Sequence, residues 1–213
     1  MADTTLRVPE YLTWFGHDSV KIVGGGKVIF IDPFQLKPPQ EPADLVLITH
    51  EHFDHYSEKD LAMIVNQKTT IVAASSCNGK LPIAKIISVQ PGERHELDGI
   101  TIETVPAYNL EKPFHPNDGR RVGFIITIEG QRIYHAGDTD FIPEMRLLSD
   151  IDVALVPVSG TYVMDAEEAA EAVNSFMPRL AIPMHYGAIV GSSEDAERFK
   201  QLARVPVVIP KQS

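Results

Sequence analysis

The chain has 213 residues, a formal net charge of −10 and an apolar fraction of 44%. These values suit a globular protein with a full hydrophobic core, and we predict one domain spanning residues 1–213. The acidic balance disfavours nucleic-acid and anionic-membrane surfaces, because both attract basic proteins. A single cysteine, Cys77, excludes an intrachain disulfide. With no apolar run long enough to span a membrane and no signal-peptide pattern, the sequence predicts a cytoplasmic protein.

The first part of the chain predicts paired strands followed by alternating strands and helices. We predict its strands at Tyr11–Phe15, Ser19–Val23, Lys27–Ile31, Asp44–Thr49 and Thr70–Ala74. The run Asp44–Thr49 has apolar residues on both faces, as in a strand buried from two sides. Ser57 and Asp60 match a capping box, so a helix is expected from there to about Asn66. A short helix is expected at Gly79–Ala84.

The rest of the chain predicts hairpins and then a second series of strands and helices. Asp98-Gly99 and Glu129-Gly130 are hairpin turn signals. The strands are expected at Arg94–Leu97, Ile100–Val105, Val122–Ile128, Arg132–His135, Asp152–Pro157, Leu180–Met184 and Val205–Ile209. A capping box at Asp165–Glu168 opens a helix that Pro178 ends, and Glu194–Ala203 is the last helix. This order predicts an α/β protein with two mixed β-sheets packed face to face and helices on the outer faces.

The densest chemical feature is the segment Thr-His-Glu-His-Phe-Asp-His at residues 49–55. It follows a predicted buried strand, where ligand-binding loops are common. In an extended loop His50 and His52 project to the same side and can hold one metal ion. Asp54 and His55 follow where the chain turns into a helix and can face a second ion. Imidazole and carboxylate together suit zinc, manganese or iron.

This segment resembles the His-x-His-x-Asp-His motif of the metallo-β-lactamase superfamily. Other segments that resemble motifs of that superfamily, in its order, are Trp14–Val20, Ile31–Pro33, Ala136–Thr139 and Pro183–Gly187. The segment Trp14–Val20 is similar to the branch of small enzymes that includes L-ascorbate-6-phosphate lactonases. The resemblance implies a four-layer αββα sandwich and a metal-dependent hydrolase.

The resemblance also implies a ligand set for two divalent ions, with Zn²⁺ or Mn²⁺ preferred and Fe²⁺ as a third option. The residues it assigns to the two ions are His50, His52, Asp54, His55, Asp138 and His185. His50 and His52 would bind the first ion, and Asp138 would bridge the two. His185 would join Asp54 and His55 on the second ion.

The chain departs from the family pattern at the third ligand of the first ion. The family takes this ligand from a histidine at a position where the chain reads Val105–Asn109, without one. His115 is therefore expected to replace it, with Asn109 or an open position as alternatives. Asp32 is expected to orient a ligand imidazole. His17 is expected to support a ligand or contact the substrate.

This site predicts hydrolysis by a metal-bound hydroxide, with Asp54 and Asp138 as the catalytic carboxylates. Two divalent ions, two carboxylates and a hydroxide leave about one positive charge, so we expect a small anionic ester, phosphoester or lactone as substrate. The loop Lys112–Arg121 contains Arg120 and Arg121 and is expected to border the pocket, where arginine can bind phosphate.

Three other functions remain open from the sequence. A single-iron, dioxygenase-like oxidoreductase is one; in the related di-iron oxygen reductases the position of His52 is typically Glu. A nucleic-acid-processing phosphodiesterase is another, although such enzymes usually carry a basic surface and this chain is acidic. A metal-binding protein without catalysis is the third. The sequence leaves substrate, metal and oligomeric state undetermined.

Overall fold

The structure, a computed structural model, describes residues 7–77 and 85–213 and contains two six-stranded sheets within them. In the first sheet the strands lie in chain order: Leu12–Gly16 (β1), Ser19–Gly24 (β2), Lys27–Ile31 (β3), Leu45–Ile48 (β4), Thr70–Ala74 (β5) and Lys85–Val89 (β6). Strands β1 to β3 pair antiparallel, whereas β3 to β6 pair parallel. The first sheet is therefore mixed, as predicted.

The second sheet is built from hairpins that continue into parallel strands. Its strands are Arg94–Leu97 (β7), Ile100–Pro106 (β8), Val122–Ile128 (β9), Gln131–His135 (β10), Val153–Pro157 (β11) and Leu180–Met184 (β12), in the order β12-β11-β10-β9-β8-β7. Asp98 and Gly99 have φ of 51° and 84°, and Glu129 and Gly130 have 49° and 77°. These left-handed pairs match the turns that suit two-residue hairpins, so both turn predictions are confirmed.

Helices cover the outer faces of the two sheets. They are Glu58–Ile64 (α1), Ala166–Phe176 (α2) and Ser193–Leu202 (α3), with short 3-10 turns at Ser75–Cys77 and Pro143–Leu147. In β3, Ile29 and Ile31 belong to the core between the sheets, whereas Phe30 packs in a separate cluster with Leu61 and Ile64 of α1. Helices α2 and α3 contact β11 and β12 on the other side. This confirms the predicted two-sheet sandwich with helices outside.

The helix starts show how α1 is fixed near the loops that follow β3 and β4. Ser57 caps α1 by accepting a hydrogen bond from the Asp60 amide. The Asp60 carboxylate turns to the loop after β3, where it accepts hydrogen bonds from the amides of Gln35 (3.1 Å) and Leu36 (2.8 Å). The predicted capping box at Asp165–Glu168 is complete in α2.

Two predictions of secondary structure differ from the fold. Val205–Ile209 forms a single bridge, Val207 to Ala181, in place of a strand, because Pro206 has no N–H to donate to a ladder. The edge strand β6 was not predicted, because most of its side chains are exposed and it lacks a buried apolar run. The predicted helix at Gly79–Ala84 lies outside the described residues. No helix in the described part of the chain is both long and apolar enough to cross a membrane.

Candidate metal centre

The loop after β4 is held at both ends by Asp32, which directly follows the neighbouring parallel strand β3. The Asp32 carboxylate accepts hydrogen bonds from the Thr49 amide (2.8 Å), the Thr49 hydroxyl (2.5 Å) and His55 Nδ1 (2.8 Å). Asp32 and His55 are both fully buried. Because His55 Nδ1 donates to Asp32, the other ring nitrogen, Nε2, is directed toward Asp138 Oδ1, 3.3 Å away, and can bind a cation once it has lost its proton.

His50, His52 and His115 form one group of converging imidazoles, which we term the His50 cluster. His52 Nδ1 lies 3.0 Å from His50 Nε2 and 3.2 Å from His115 Nε2. The Thr49 hydroxyl gives its proton to Asp32 and can accept from His50 Nδ1, 3.0 Å away. His50 Nε2 is therefore left as a lone pair that points into the cluster.

Asn109 lies behind His115 and outside the group of converging nitrogens. Its Oδ1 accepts hydrogen bonds from the His115 amide (2.9 Å) and from His115 Nδ1 (3.0 Å). Its Nδ2 donates to Asp140 Oδ1 (2.9 Å) and to the Tyr162 carbonyl (2.8 Å), which fixes the orientation of the amide. The structure thus brings His115, and not Asn109, to His50 and His52.

His17, Asp54, His55 and His185 form a second group, which we term the His55 cluster. His17 Nε2 lies 3.0 Å from Asp54 Oδ2, and His55 Nε2 lies 3.8 Å from the same oxygen. Ser159 Oγ is 2.9 Å from His185 Nδ1, so His185 Nε2 faces the cluster. His17 therefore lies among the candidate ligands and also contacts one of them, Asp54.

Asp138 lies between the two clusters. Its Oδ2 is 3.3 Å from His115, 3.2 Å from His185 and 3.9 Å from His50, and its Oδ1 is 3.3 Å from His55. Each cluster also joins the two sheets. The segment His50–His55 follows β4 of the first sheet, whereas His115, Asp138 and His185 come from loops of the second sheet.

The centre contains buried polar atoms that have no hydrogen-bond partner among the described residues. They are His17 Nδ1, Asp18 Oδ1 and Oδ2, His55 Nε2, Asp138 Oδ1 and His185 Nε2. The two imidazole nitrogens of His55 and His185 lie 3.3 and 3.2 Å from Asp138 oxygens, close enough for charge pairing but without hydrogen-bond geometry. Buried polar groups are nearly always hydrogen-bonded, so a set of unpartnered atoms in one place calls for a ligand. A cation would satisfy the carboxylate oxygens and, once the imidazoles have lost their protons, the ring nitrogens as well, because all of them can then donate lone pairs.

Three residues of the centre have left-handed backbone: His17 (φ 50°), Asp32 (φ 43°) and His185 (φ 58°). This conformation costs a non-glycine residue roughly 1–3 kcal/mol and persists where surrounding contacts enforce it. The His17 carbonyl accepts hydrogen bonds from Trp14 Nε1 (2.8 Å) and from the His185 amide (3.1 Å). These bonds hold the two strained residues His17 and His185 side by side.

The two clusters differ in their electrostatics. Burial lowers the pKa of His50 well below its usual value, and burial together with the neighbouring imidazoles lowers the pKa of His115 to about 4, although Asp138 opposes this. Burial would also lower the pKa of His185, but the carboxylates of Asp138 and Asp18 outweigh it and raise that pKa to about 9. His55 is raised in the same way by Asp138 and Asp32. Without metal, only His55 and His185 are therefore protonated near neutral pH, because burial lowers the pKa of His17, the third imidazole of the His55 cluster.

The carboxylates respond to the same charges. Burial would raise the pKa of Asp54, but the hydrogen bond from His17 and the charge of His55 lower it to about 2. Burial would likewise raise the pKa of Asp138, but His185 and His55 hold it well below its usual range. Both carboxylates are therefore ionised at neutral pH. Desolvation and the nearby Asp138 raise the pKa of the fully buried Asp18 instead.

Sequence reasoning missed two residues of the centre. Asp18 Oδ2 lies 3.6 Å from His55 Nδ1, and Asp18 groups with His55, Asp138 and His185 as a candidate ligand. Ser159 holds His185 from the loop after β11, beside the parallel strand β12. Both positions carried a signal. Asp18 is adjacent to His17, and Ser159 follows the carboxyl end of a buried strand, where site residues collect.

The lysine and arginine side chains of the loop Lys112–Arg121 do not line the pocket, contrary to the expectation for Arg120 and Arg121, and two of them form ion pairs with carboxylates. Arg121 pairs with Glu51 and Asp118, and Lys112 Nζ lies 2.6 Å from Asp140 Oδ1. The cavity beside the clusters is lined by His52, Phe53, Asp54, Phe114, His115, Asp138, Tyr162 and Ile189. Neither Arg120 nor Arg121 is among these residues. Arg121 is held by Glu51 of the loop after β4 and by Asp118 of its own loop.

A two-sheet sandwich with this histidine and aspartate centre defines the metallo-β-lactamase class, and comparison with known proteins agrees. Residues 11–185 match the family model described as a β-lactamase superfamily domain. The chain belongs to the metallo-β-lactamase superfamily.

Sequence relatives and a solved structure indicate which members of this superfamily the chain is similar to. The chain is 36% identical over 216 residues to a UPF0173 metal-dependent hydrolase of Pyrococcus abyssi, covering 92% of this chain and 95% of the relative. A UPF0173 relative from Thermoplasma acidophilum is 34% identical over 215 residues, covering 94% and 95%. The crystal structure of a candidate metal-dependent hydrolase from Parabacteroides distasonis superposes with a TM-score of 0.84 at 33% identity, covering 95% and 93%. The predicted metal-dependent hydrolase is thus confirmed.

Proposed function

We propose that the residues around Asp138 hold two divalent cations, and that the protein hydrolyses a small ester, phosphoester or lactone beside them. One observation carries this proposal. A single buried carboxylate lies 3.3 Å from His115 of the His50 cluster and 3.2 Å from His185 of the His55 cluster. A carboxylate within reach of two separate ligand groups is the arrangement that a pair of ions needs.

The donor sets fit borderline divalent metals. The His50 cluster offers three imidazoles, and Thr49 and Asn109 can set the tautomers of two of them, His50 and His115. The His55 cluster adds the ionised Asp54 to its imidazoles. Imidazole and carboxylate donors suit Zn²⁺ and Mn²⁺, with Fe²⁺ as a third option. The buried atoms without partners, such as Asp138 Oδ1, support the same reading.

Bound cations would supply the activation that hydrolysis needs, because they lower the pKa of water from about 16 to about 7 and polarise a carbonyl or phosphoryl oxygen. The protein supplies position and charge. Asp54 is ionised and lines the cavity, so its carboxylate can orient an attacking water by accepting a hydrogen bond. Asp138, also ionised, fixes the spacing of the two clusters.

The charge of the loaded site favours an anionic reacting group. Two divalent ions contribute four positive charges and Asp54 and Asp138 two negative ones, which leaves roughly two positive charges before a nucleophile is added. A phosphoester or a carboxylate-bearing ester is therefore attracted even though the whole chain has a net charge of −10. The resemblance of Trp14–Val20 to the lactonase branch adds phosphorylated lactones to this class.

We also propose that residues 1–213 form one domain and that the protein acts in the cytoplasm. Cys77, the single cysteine of the sequence, is buried, which agrees with a reducing compartment.

Metal removal and reloading test the proposal. We expect protein stripped by a chelator to hydrolyse none of a panel of p-nitrophenyl esters, phosphodiesters, phosphomonoesters and lactones. Separate reloading with Zn²⁺, Mn²⁺ or Fe²⁺ should restore turnover of at least one class, with two ions per chain by elemental analysis. Turnover that survives complete metal removal would refute the proposal. Iron-dependent oxygen consumption without hydrolysis would favour the oxidoreductase alternative.

A further inference from the structure

The cavity that opens on the metal centre has an apolar outer wall. Its volume is about 230 Å³, and its wall beyond the ligands is formed by Phe53, Phe114, Tyr162 and Ile189. Phe53 is 69% exposed, Phe114 41% and Ile189 40%. Large apolar side chains that stay exposed together usually mark a binding surface. Because Asp54, His115 and Asp138 line the same cavity, these side chains lie at the entrance to the centre.

The aromatic wall is supported from behind. Phe114 packs edge-on against Tyr162 with ring centroids 4.7 Å apart, and Phe53 packs edge-on against Phe34 at 6.1 Å. The loop that carries Phe114 is fixed by Lys112, which lies 2.6 Å from Asp140 and donates to the Val163 carbonyl. The wall is therefore a built feature of the fold with defined ring positions.

The wall offers no cationic side chain to a second anionic group. Among the described residues, no lysine or arginine lines the cavity. Two basic side chains of the loop that carries Phe114 are held by ion pairs: Lys112 pairs with Asp140, and Arg121 pairs with Glu51 and Asp118. A charged substituent there would lose water without gaining an ion-pair partner, which is costly. An apolar substituent would gain free energy by covering the exposed rings.

We propose that the substrate carries an aryl or short alkyl group next to the bond that is hydrolysed, and that Phe53, Phe114, Tyr162 and Ile189 bind this group. This inference rests on the proposed function, since it takes the reacting group to lie at the metal centre. The cavity size agrees, because a cavity of roughly 150 Å³ already accepts benzene. The substrate class is thus an ester, phosphoester or lactone with a polar reacting head and an apolar substituent.

Hydroxamates test the wall separately from turnover, because the hydroxamate group binds metal ions and carries a variable substituent. We would titrate zinc-loaded protein calorimetrically with acetohydroxamate, benzohydroxamate and 4-carboxybenzohydroxamate. Benzohydroxamate should bind at least about tenfold more tightly than acetohydroxamate, since an aromatic ring is removed from water. The added carboxylate should abolish most of that gain.

Two variants and a control locate the effect. Phe114→Ala and Tyr162→Ala should each reduce the ratio between benzohydroxamate and acetohydroxamate affinities severalfold. Leu147→Ala is the matched control, because Leu147 is 82% exposed and lies outside the cavity lining. It should leave the ratio unchanged. Melting curves of each variant establish that it is folded before titration.

The outcomes separate the two proposals. Equal affinity for the two simple hydroxamates, or tighter binding of the carboxylated one, would overturn the apolar wall even if hydrolysis were found. A gain from the aryl group without hydrolysis of any substrate class would uphold the wall and defeat the proposed function. Sedimentation velocity adds a further arm. If Phe114→Ala dissociated a dimer, the rings would be a contact between copies and the inference would fall.

Discussion

The His50 cluster and the His55 cluster both lie next to Asp138, but they differ in the protonation of their imidazoles. The His50 cluster is all imidazole, and its buried rings resist protonation, with the pKa of His115 near 4. The His55 cluster surrounds its imidazoles with carboxylates, so that His185 keeps a proton up to about pH 9. Burial alone would have made both clusters neutral. The difference shows that the placement of Asp18, Asp32 and Asp138 decides which half of the centre is charged without metal.

This comparison implies that the two clusters differ in whether they must release protons to bind an ion. Neutral imidazoles can accept a cation directly, whereas protonated ones must first release a proton. The His50 cluster is therefore ready for an ion at neutral pH. The His55 cluster exchanges protons for an ion and keeps its carboxylate ligands ionised in both states.

The largest effect is expected from Asp138→Asn, which removes the charge shared by both clusters. We expect kcat/KM to fall by about a thousandfold or more, because several kcal/mol of electrostatic stabilisation is lost. Elemental analysis should show fewer than two ions per chain. Asp98→Asn is the control, since Asp98 lies in an exposed turn and pairs only with Lys27 in the described structure. Unchanged turnover in the Asp138 variant would show that the two clusters do not depend on a shared carboxylate.

Removing one imidazole from each cluster should separate the two ions. We expect His115→Ala to lose the ion of the His50 cluster and keep the other, and His185→Ala to do the reverse. Each variant should retain about one ion per chain, because the opposite cluster keeps its own donors. Metal content and cobalt spectra of the two variants would identify the ion that remains. His95→Ala, which changes a histidine paired with Glu93 far from the centre, should retain both. Loss of both ions from either variant would show that the clusters do not act separately.

The pH dependence of metal binding should also differ between the clusters. His185 has a raised pKa of about 9 and the pKa of His55 is raised as well, so an ion must displace both protons, and binding in the His55 cluster should strengthen by at least about tenfold per pH unit between pH 7 and 9. His115 has a lowered pKa of about 4, so binding in the His50 cluster should be nearly flat over that window. Without metal, a rise in pH weakens the fold, the opposite of its effect on ion binding. The protonated His185 stabilises the fold below about pH 6.5, and this contribution is lost as pH rises through 9. Competition titrations at three pH values measure both slopes, and equal slopes would contradict the comparison.

The smallest effect is expected from Asn109→Ala, which leaves every proposed ligand in place. His115 would lose the acceptor of its Nδ1 proton and its orientation, so affinity for the ion of the His50 cluster should fall about tenfold. The ion of the His55 cluster should be unaffected. Asn117→Ala, an exposed change in the same loop, is the matched control. A larger loss from the His55 cluster would mean that Asn109 acts through Asp138 instead.

Local patterns predicted most of the fold and one side of the centre. The apolar runs before Asp32 and His50 set β3 and β4, and the hairpin turns at Asp98 and Glu129 set the second sheet. The segment His50–His55 was visible because its donors are adjacent in sequence. In such segments the local preference and the tertiary structure agree, which is why they can be recognised from the chain alone.

The rest depends on contacts distant in sequence. The choice between His115 and Asn109 is made by hydrogen bonds from Asn109 to Asp140 and Tyr162, which no spacing rule encodes. Arg121 does not line the cavity because it pairs with Glu51, which lies 70 positions earlier in the chain. Asp18 was overlooked because its importance comes from complete burial. Val205–Ile209 shows the opposite failure, an apolar run in which a proline stops the ladder.

The position of the centre, with donors from both sheets in each cluster, gives a bound ion a mechanical role. An ion held by His52 and His115, or by His55 and His185, cross-links loops that belong to opposite halves of the sandwich. Because the unfolded chain lacks these arrangements, the free energy of ion binding adds to that of folding and grows with free metal concentration. Metal supply would then set the fraction of the protein that is folded as well as its catalytic rate.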